Sequence, residues 1–174
     1  MDPSTNPRLK QQIETLRSSN RSAILEILKE LRSEGDISIL PELFNLLLIQ
    51  EDTEIQDAIT ALLNDVKDKD AAEILAKAIA NPEYEPIRTR LLAACWQNGL
   101  SYGKHISIFT DVLLSGTYGA AIEAFTVIEE AVGELEEEDR EKVARSLKSG
   151  VQKADDQKKA LIAELVRVIE TYGS

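Results

Sequence analysis

Residues 46–63 read LLLIQEDTEIQDAITALL: an apolar run, a polar turn, and then apolar residues spaced three and four apart. That spacing places the later apolar residues on one face of an α-helix. Asp52 stands just before this helix, where its carboxylate can cap the first turn. The stretch therefore predicts two helices joined by a short turn. The apolar face of the second helix comprises Ile55, Ala58, Ile59, Leu62 and Leu63.

The same apolar face recurs along the chain, with copies that start at Ile24, Ile55, Ile87 and Ala121, spaced 31, 32 and 34 residues apart. A second column of mostly apolar residues lies in the helices between these copies and repeats with a similar spacing. Because two independent columns stay in register, they predict repeated helix pairs and not isolated helices. The second column comprises Leu40, Leu43 and Leu47; Ala72, Leu75 and Ile79; Ile106, Phe109 and Leu113; and Arg140, Val143 and Leu147.

Ten helices are predicted from these columns and from the glycines and polar turns between them. They lie near residues 7–18, 21–34, 39–50, 53–66, 69–80, 84–98, 103–115, 118–132, 137–149 and 155–172. Helix pairs of this length predict an all-α fold, an alpha-alpha superhelix of about four pairs with a right-handed twist. We expect one domain over residues 1–174. It would have an N-terminal capping helix within 1–20, repeats over 21–149 and a C-terminal capping helix within 150–174.

The turn within residues 46–63 resembles that of a HEAT repeat, with leucines, an Asp-containing turn and then spaced alanines and leucines. Residues 80–94 are similar and carry Arg88 where HEAT repeats usually have an arginine. The copy at residues 115–131 keeps the apolar column without the turn acid or the arginine. The resemblance to the HEAT-repeat and armadillo-like α-solenoids covers roughly residues 20–150. It implies a non-enzymatic scaffold that binds another protein through its concave face.

In HEAT-like solenoids the second helix of each pair lines the concave face. The alignment of the second column shows which residues of this chain would then be exposed on that face. We also consider the acidic run at residues 134–141, for which the sequence allows three interpretations. It is a solvated segment that places acids in the first turn of a helix, a site for a basic segment of a partner, or a calcium site, which the lack of EF-hand spacing disfavours. The candidate binding residues are Asn45, Leu48, Glu73, Lys77, Ser107, Asp111, Leu114, Glu136, Glu137 and Glu138.

The net charge of −11 and the pI of about 4.6 decide which partners to expect. Binding to nucleic acid or to an anionic membrane requires a basic surface, and the sequence offers no sustained basic stripe. We therefore expect another protein as the partner, with no nucleic acid and no membrane, and a monomer or weak homo-oligomer. A polar N-terminus and the lack of a long apolar run predict a cytoplasmic protein.

Chemistry-bearing residues are few: the chain has one histidine, His105, and one cysteine, Cys95. A zinc site needs three or four such ligands, and Cys95 falls on the apolar face, where a small buried residue is expected. We expect no enzyme activity and no cofactor. The alternative is a lyase-type HEAT-like enzyme with a deep pocket between inner helices and converging titratable groups. Aromatic residues near the turns are expected either to cover the repeat edges or to anchor a partner. They are Trp96, Tyr84, Tyr102 and Tyr118.

Overall fold

A computed structural model, which describes residues 6–172 apart from the side chain of Glu34, places ten α-helices where the apolar columns predict them. The described residues form no β-strand, so the prediction of an all-α fold is confirmed. None of their helices is both long enough and apolar enough to cross a membrane. The helices are α1 (Pro7–Leu16), α2 (Arg21–Glu34), α3 (Leu40–Ile49), α4 (Thr53–Asp65), α5 (Ala71–Ala80), α6 (Arg88–Asn98), α7 (Ile106–Ser115), α8 (Tyr118–Ala131), α9 (Glu137–Gly150) and α10 (Asp156–Thr171).

Helix ends follow the local chemistry of the chain. The Asp52 carboxylate accepts hydrogen bonds from the backbone N–H groups of Glu54 and Ile55, at 2.9 and 3.2 Å, as its predicted role as a cap requires. Gly99 follows α6 with a φ of 67°, a left-handed conformation that favours glycine. The largest difference from a predicted boundary is at α6, which begins at Arg88, after a 3-10 turn over Pro82–Ile87. Proline disfavours α-helical geometry in the residue before it, so Pro86 delays the helix.

The chain divides into two compact units, the first ending at Asn98 and the second beginning at Gly99. In the first unit α2, α4 and α6 pack side by side in that order, as do α1, α3 and α5. In the second unit α7 packs beside α9, and α8 beside α10. The predicted N-terminal cap, α1, packs against both α2 and α3, and the predicted C-terminal cap, α10, packs against α7, α8 and α9. Helices two apart in sequence are therefore neighbours within each unit.

The apolar columns form the core of each unit. Leu43, Leu75 and Phe109, at equivalent positions of the second column, are completely buried. Charged residues in the columns lie at the surface: Arg90 and Glu129 are exposed, and Arg140 is half-buried. Burying a large aliphatic side chain contributes about 1.5–3 kcal/mol, so these columns supply most of the driving force for packing. The residues that start the four copies, Ile24, Ile55, Ile87 and Ala121, are all buried.

Polar side chains link α2, α4 and α6 at the same period as the apolar columns. Arg21 donates to Asp52 at 2.7 Å, and Asn64 donates to Gln97 at 2.8 Å. These partners are 31 and 33 residues apart in sequence. Arg90 donates to Gln56, 34 residues earlier, at 3.2 Å. The charge that interrupts the apolar column at Arg90 therefore joins α6 to α4.

Lys158, in the first turn of α10, is buried although lysine is rarely found in a core. Its Nζ donates to the carbonyl oxygens of Leu114 and Gly116, at 3.2 and 2.9 Å, and lies 3.5 Å from the Asp155 carboxylate. The last carbonyl groups of a helix have no partner within the helix. Lys158 therefore supplies donors for the end of α7 and ties α10 to the turn between α7 and α8.

Replacing Lys158 with Met keeps most of the side-chain volume but leaves those carbonyl oxygens without the ammonium donor. A buried acceptor that loses its partner costs about 1–3 kcal/mol, and we expect a loss of that size in the free energy of unfolding. Chemical denaturation followed by circular dichroism measures it. The control is Lys159→Met, because Lys159 is exposed and pairs with Asp156 on the surface. Equal losses in the two variants would contradict this role for Lys158.

The link between Arg21 and Asp52 makes stability depend on pH. The Arg21 guanidinium, together with the backbone N–H groups of Ile55 and Glu54, lowers the pKa of Asp52. A carboxylate with a lowered pKa stabilises the fold above its unfolded pKa, about 3.9, and that stabilisation is lost as the pH falls through the folded value. Asp52→Asn keeps a good capping residue but removes the charge. Its melting temperature should therefore fall less than that of the wild type on acidification below about pH 4.

The matched control is Asp57→Asn, which removes an exposed carboxylate from the same helix. The acid-induced fall in its melting temperature should equal that of the wild type. If Asp52→Asn and the wild type lose the same amount between neutral and acidic pH, the link does not contribute to stability.

Candidate functional site

Four of the predicted binding residues lie on α3 and α5, which pack side by side in the first unit. Asn45, Glu73 and Lys77 are exposed, and Leu48 is half-buried. Lys77 pairs with Glu73 one turn earlier on α5, with 2.6 Å between Nζ and Oε1. Neighbouring helices of this unit thus present a polar amide, a partly covered leucine and an ion pair to the solvent.

Tyr84 reaches α3 from the 3-10 turn before α6. Its hydroxyl donates to Oδ1 of Asn45 at 2.8 Å, and its ring meets Phe44 edge to face, with 5.8 Å between the centroids. Burial raises the pKa of Tyr84, and the nearby charges of Glu83 and Glu42 raise it further. Tyr84 therefore covers the apolar side of α3, as the structural interpretation of the aromatic residues predicts, and it fixes the amide of Asn45.

The second aromatic residue predicted near a repeat edge behaves similarly in the second unit. Tyr102 is buried, and its ring meets Phe109 edge to face, with 5.4 Å between the centroids. Tyr118, by contrast, is 43% exposed at the start of α8. Of these three tyrosines, Tyr84 and Tyr102 therefore cover apolar residues, whereas Tyr118 is exposed.

Ile49, the last residue of α3, is 77% exposed and is not among the predicted binding residues. It belongs to the continuous run Leu46–Ile49, which looks uniformly suited to a core. Four consecutive residues of a helix span more than one face, so they cannot all point into one core. Leu43 and Leu47 take the buried face, and Ile49 lies one turn beyond Asn45 on the exposed one. That helical phase is the signal that could have found it.

In the second unit, Ser107 and Asp111 line an open groove of about 310 Å³ between α7 and α9. From the other side, Asp139 and Lys142 of α9 line the same groove. The groove therefore carries both signs of charge, with apolar Ile106 and Val143 between them.

The predicted binding residue Leu114 has a different environment. It is half-buried, and its side chain packs on Gly150, where an added Cβ would lie 2.6 Å from Cδ2 of the leucine. The missing side chain at Gly150 allows α7 and α9 to approach each other closely. Leu114 thus contributes to the contact between these helices.

The acidic run leads into α9 and is solvated. Glu136 precedes the helix, and Glu137, Glu138 and Asp139 occupy its first turn, where negative charge is favoured by the helix dipole. Lys142 pairs with Glu138 at 3.0 Å and with Asp139 at 3.1 Å, and these contacts raise the pKa of Lys142. The geometry fits the interpretation of a solvated first turn. Recognition of a basic segment by this run stays a prediction.

A wider groove, of about 660 Å³, lies between α9 and α10. Its cations are already engaged by neighbouring groups. Lys148 pairs with Glu170, Arg145 lies 3.5 Å from Glu141, and the Arg140 guanidinium stacks over the ring of Tyr172 at 5.3 Å. This groove therefore has a polar wall whose charges balance one another.

Cys95 and His105, the cysteine and the histidine of the chain, lie in different units. Cys95 is completely buried on α6, as its position on the apolar face predicts. His105 is partly exposed and ends the 3-10 turn before α7. Within residues 6–172, no group of three or more His, Cys, Asp or Glu side chains could hold a metal ion. The surfaces described above present charged and apolar side chains to the solvent.

No model of a known protein family matches the chain, and no curated protein sequence matches it either. The resemblance to HEAT repeats therefore stays a prediction from the residues quoted for it.

The acids at the start of α9 can be tested as a group. Replacing Glu136, Glu137 and Glu138 together with Gln removes exposed charges and weak surface pairs. We expect the melting temperature to fall by no more than about 3 °C. Differential scanning calorimetry measures the change.

A matched variant replaces Glu129 and Glu130, exposed acids in the last turn of α8, with Gln. Negative charge is unfavourable at that end of a helix, so this variant should melt at the same temperature as the wild type or slightly above it. A fall several times larger in the α9 variant would show that its carboxylates are needed for the fold.

Proposed function

We propose that this protein is a non-enzymatic scaffold that binds another protein, with helix hairpins stacked as in HEAT-like or armadillo-like α-solenoids. The observation that supports the proposal is the side-by-side packing of helices two apart in sequence, found in both units. In repeat proteins of this type each hairpin buries its apolar face against its neighbours and leaves one face of each layer to the solvent. The polar links between α2, α4 and α6 at the repeat period support it further.

In the first unit the proposed binding face is that of α3 and α5, and in the second unit it is the groove between α7 and α9. Each is built on helices whose opposite sides are completely buried, as at Leu43, Leu75 and Phe109. A surface held rigid in this way loses little conformational entropy when a partner binds. The mixed charges of the two faces fit protein recognition better than binding of a polyanion.

The form of the grooves favours a scaffold over a lyase-type enzyme. The two grooves described above, between α9 and α10 and between α7 and α9, are not enclosed, and neither is a third one lined by the loops before α3 and α5. A catalytic pocket typically encloses titratable groups whose pKa values are displaced by burial and by one another. The carboxylates with a lowered pKa instead cap helices or form surface ion pairs, as Asp52 and Glu164 do.

The experiment is affinity capture from a lysate of the cells that produce this protein, with the full chain as bait and quantification by mass spectrometry. One bait variant carries Asn45→Arg and Lys77→Glu on the α3 and α5 face, and a second carries Ser107→Arg in the α7 and α9 groove. We expect at least one of them to reduce the recovery of a captured protein about tenfold, which corresponds to about 1.4 kcal/mol.

The control bait carries Glu26→Arg, an exposed charge reversal on α2, and should recover that protein as the wild type does. All baits should melt within a few degrees of one another, because the changes are at exposed positions. If no protein is enriched, or if neither face variant alters recovery, the proposal is wrong.

A further inference from the structure

Ile49 is the most exposed of the large apolar side chains in the described part of the chain. Single exposed aliphatic residues are common, so its exposure alone carries little meaning. Its surroundings set it apart, because it lies one turn from Asn45 and next to the half-buried Leu48. We call Asn45, Leu48, Ile49 and Tyr84 the Ile49 surface. It combines the exposed side chain of Ile49, the half-buried Leu48 and the ring of Tyr84.

The Ile49 surface is held in a fixed arrangement. The hydrogen bond from the Tyr84 hydroxyl orients the amide of Asn45, and the Tyr84 ring packs against Phe44, which is buried. Tyr84 comes from a turn that contacts both α3 and α5. Apolar and aromatic side chains on a rigid base are typical of the residues that dominate protein interfaces.

The charges around this surface are unbalanced. Glu51 follows Ile49 at the end of α3, and Glu83 and Glu85 flank Tyr84 in its turn; all three are exposed. None of the three has an ion-pair partner within residues 6–172.

The basic residues nearby are already engaged. Arg17 binds Glu42 through two hydrogen bonds of 2.7 Å, and Lys77 pairs with Glu73. Arg88 donates to the carbonyl oxygen of Ile79 at 2.9 Å and keeps its positive charge, so the three acids still outnumber it. An excess of negative charge thus adjoins the Ile49 surface along the chain.

We propose that the Ile49 surface docks a short segment of a partner protein that carries a large apolar side chain between lysine or arginine residues. The apolar side chain packs on Ile49 and Leu48, and the flanking cations pair with Glu51, Glu83 and Glu85. Complementary charge speeds association and selects among partners, whereas the apolar contact supplies most of the affinity. This inference rests on the proposed function and names the partner's chemistry for the face of α3 and α5.

The test is selection of binders from a displayed library of random short peptides, with the full chain as target. The selected peptides should be enriched in lysine and arginine around a leucine, isoleucine or aromatic residue. Fluorescence anisotropy then measures the Kd of the most enriched peptide. We expect Ile49→Ser to raise this Kd about tenfold, and the triple change of Glu51, Glu83 and Glu85 to Gln to raise it and to flatten its dependence on salt.

Two control variants distinguish this site from general attraction to an acidic protein. Ile122→Ser removes another exposed isoleucine, which is 40% exposed on α8, and the change of Glu129 and Glu130 to Gln removes two exposed acids. Both should leave the Kd within about twofold of the wild type. Equal effects of the controls and the Ile49 surface variants, or selected peptides without excess positive charge, would overturn the inference.

Sedimentation velocity tests a different occupant, a second copy of this chain. A dimer that disappears with Ile49→Ser would also overturn the inference. The result of the peptide selection can be distinguished from that of the lysate capture. If the α3 and α5 variant loses its captured protein while the peptide selection fails, the scaffold proposal stands and only the stated partner chemistry is wrong.

Discussion

The structure depends on one constraint: no helix in either unit can bury its apolar face against its sequence neighbour alone. Each helix presents a stripe, such as that of Ile55, Ile59 and Leu62, which needs contacts from helices two positions away as well. The energy of burial grows with the area removed from water, so within each unit a helix is stabilised when it also packs against helices two positions away. The period of 31 to 34 residues in the sequence fits that packing.

Polar groups then fix the alignment of neighbouring helices, which apolar packing alone does not determine. Apolar contacts have little directionality, whereas hydrogen bonds such as those from Arg21 to Asp52 and from Arg90 to Gln56 require one alignment of α2, α4 and α6. In the second unit the Lys158 ammonium serves the same purpose for the end of α7. These groups occupy positions where a purely apolar column would allow the helices to slide.

Much of the fold could be predicted because helical periodicity and capping are local properties of the chain. The start of α4 after Asp52 and the burial of Cys95 both follow from spacing alone. The delayed start of α6 was missed because proline is tolerated in the first turn of an α-helix, so Pro86 alone does not show whether residues 84–87 form an α-helix or a 3-10 turn. The burial of Lys158 was missed because its partners, the carbonyls of Leu114 and Gly116, lie 44 and 42 residues away.

The candidate site was less predictable, and two leucines show why. Leu48 and Leu114 occupy equivalent positions in the repeat and were selected for the same reason. Leu114 packs on Gly150, so its side chain is used in the contact between α7 and α9. Leu48 is followed by Ile49, whose side chain is exposed. Tyr84, which binds Asn45 one turn earlier, comes from a turn 39 residues further along the chain. A repeat alignment identifies which positions are equivalent, but the neighbour at each position decides whether a side chain closes an internal contact or remains available to a partner. Gly150 thus lets Leu114 close a contact between α7 and α9, whereas at the equivalent position Leu48 lies beside the exposed Ile49.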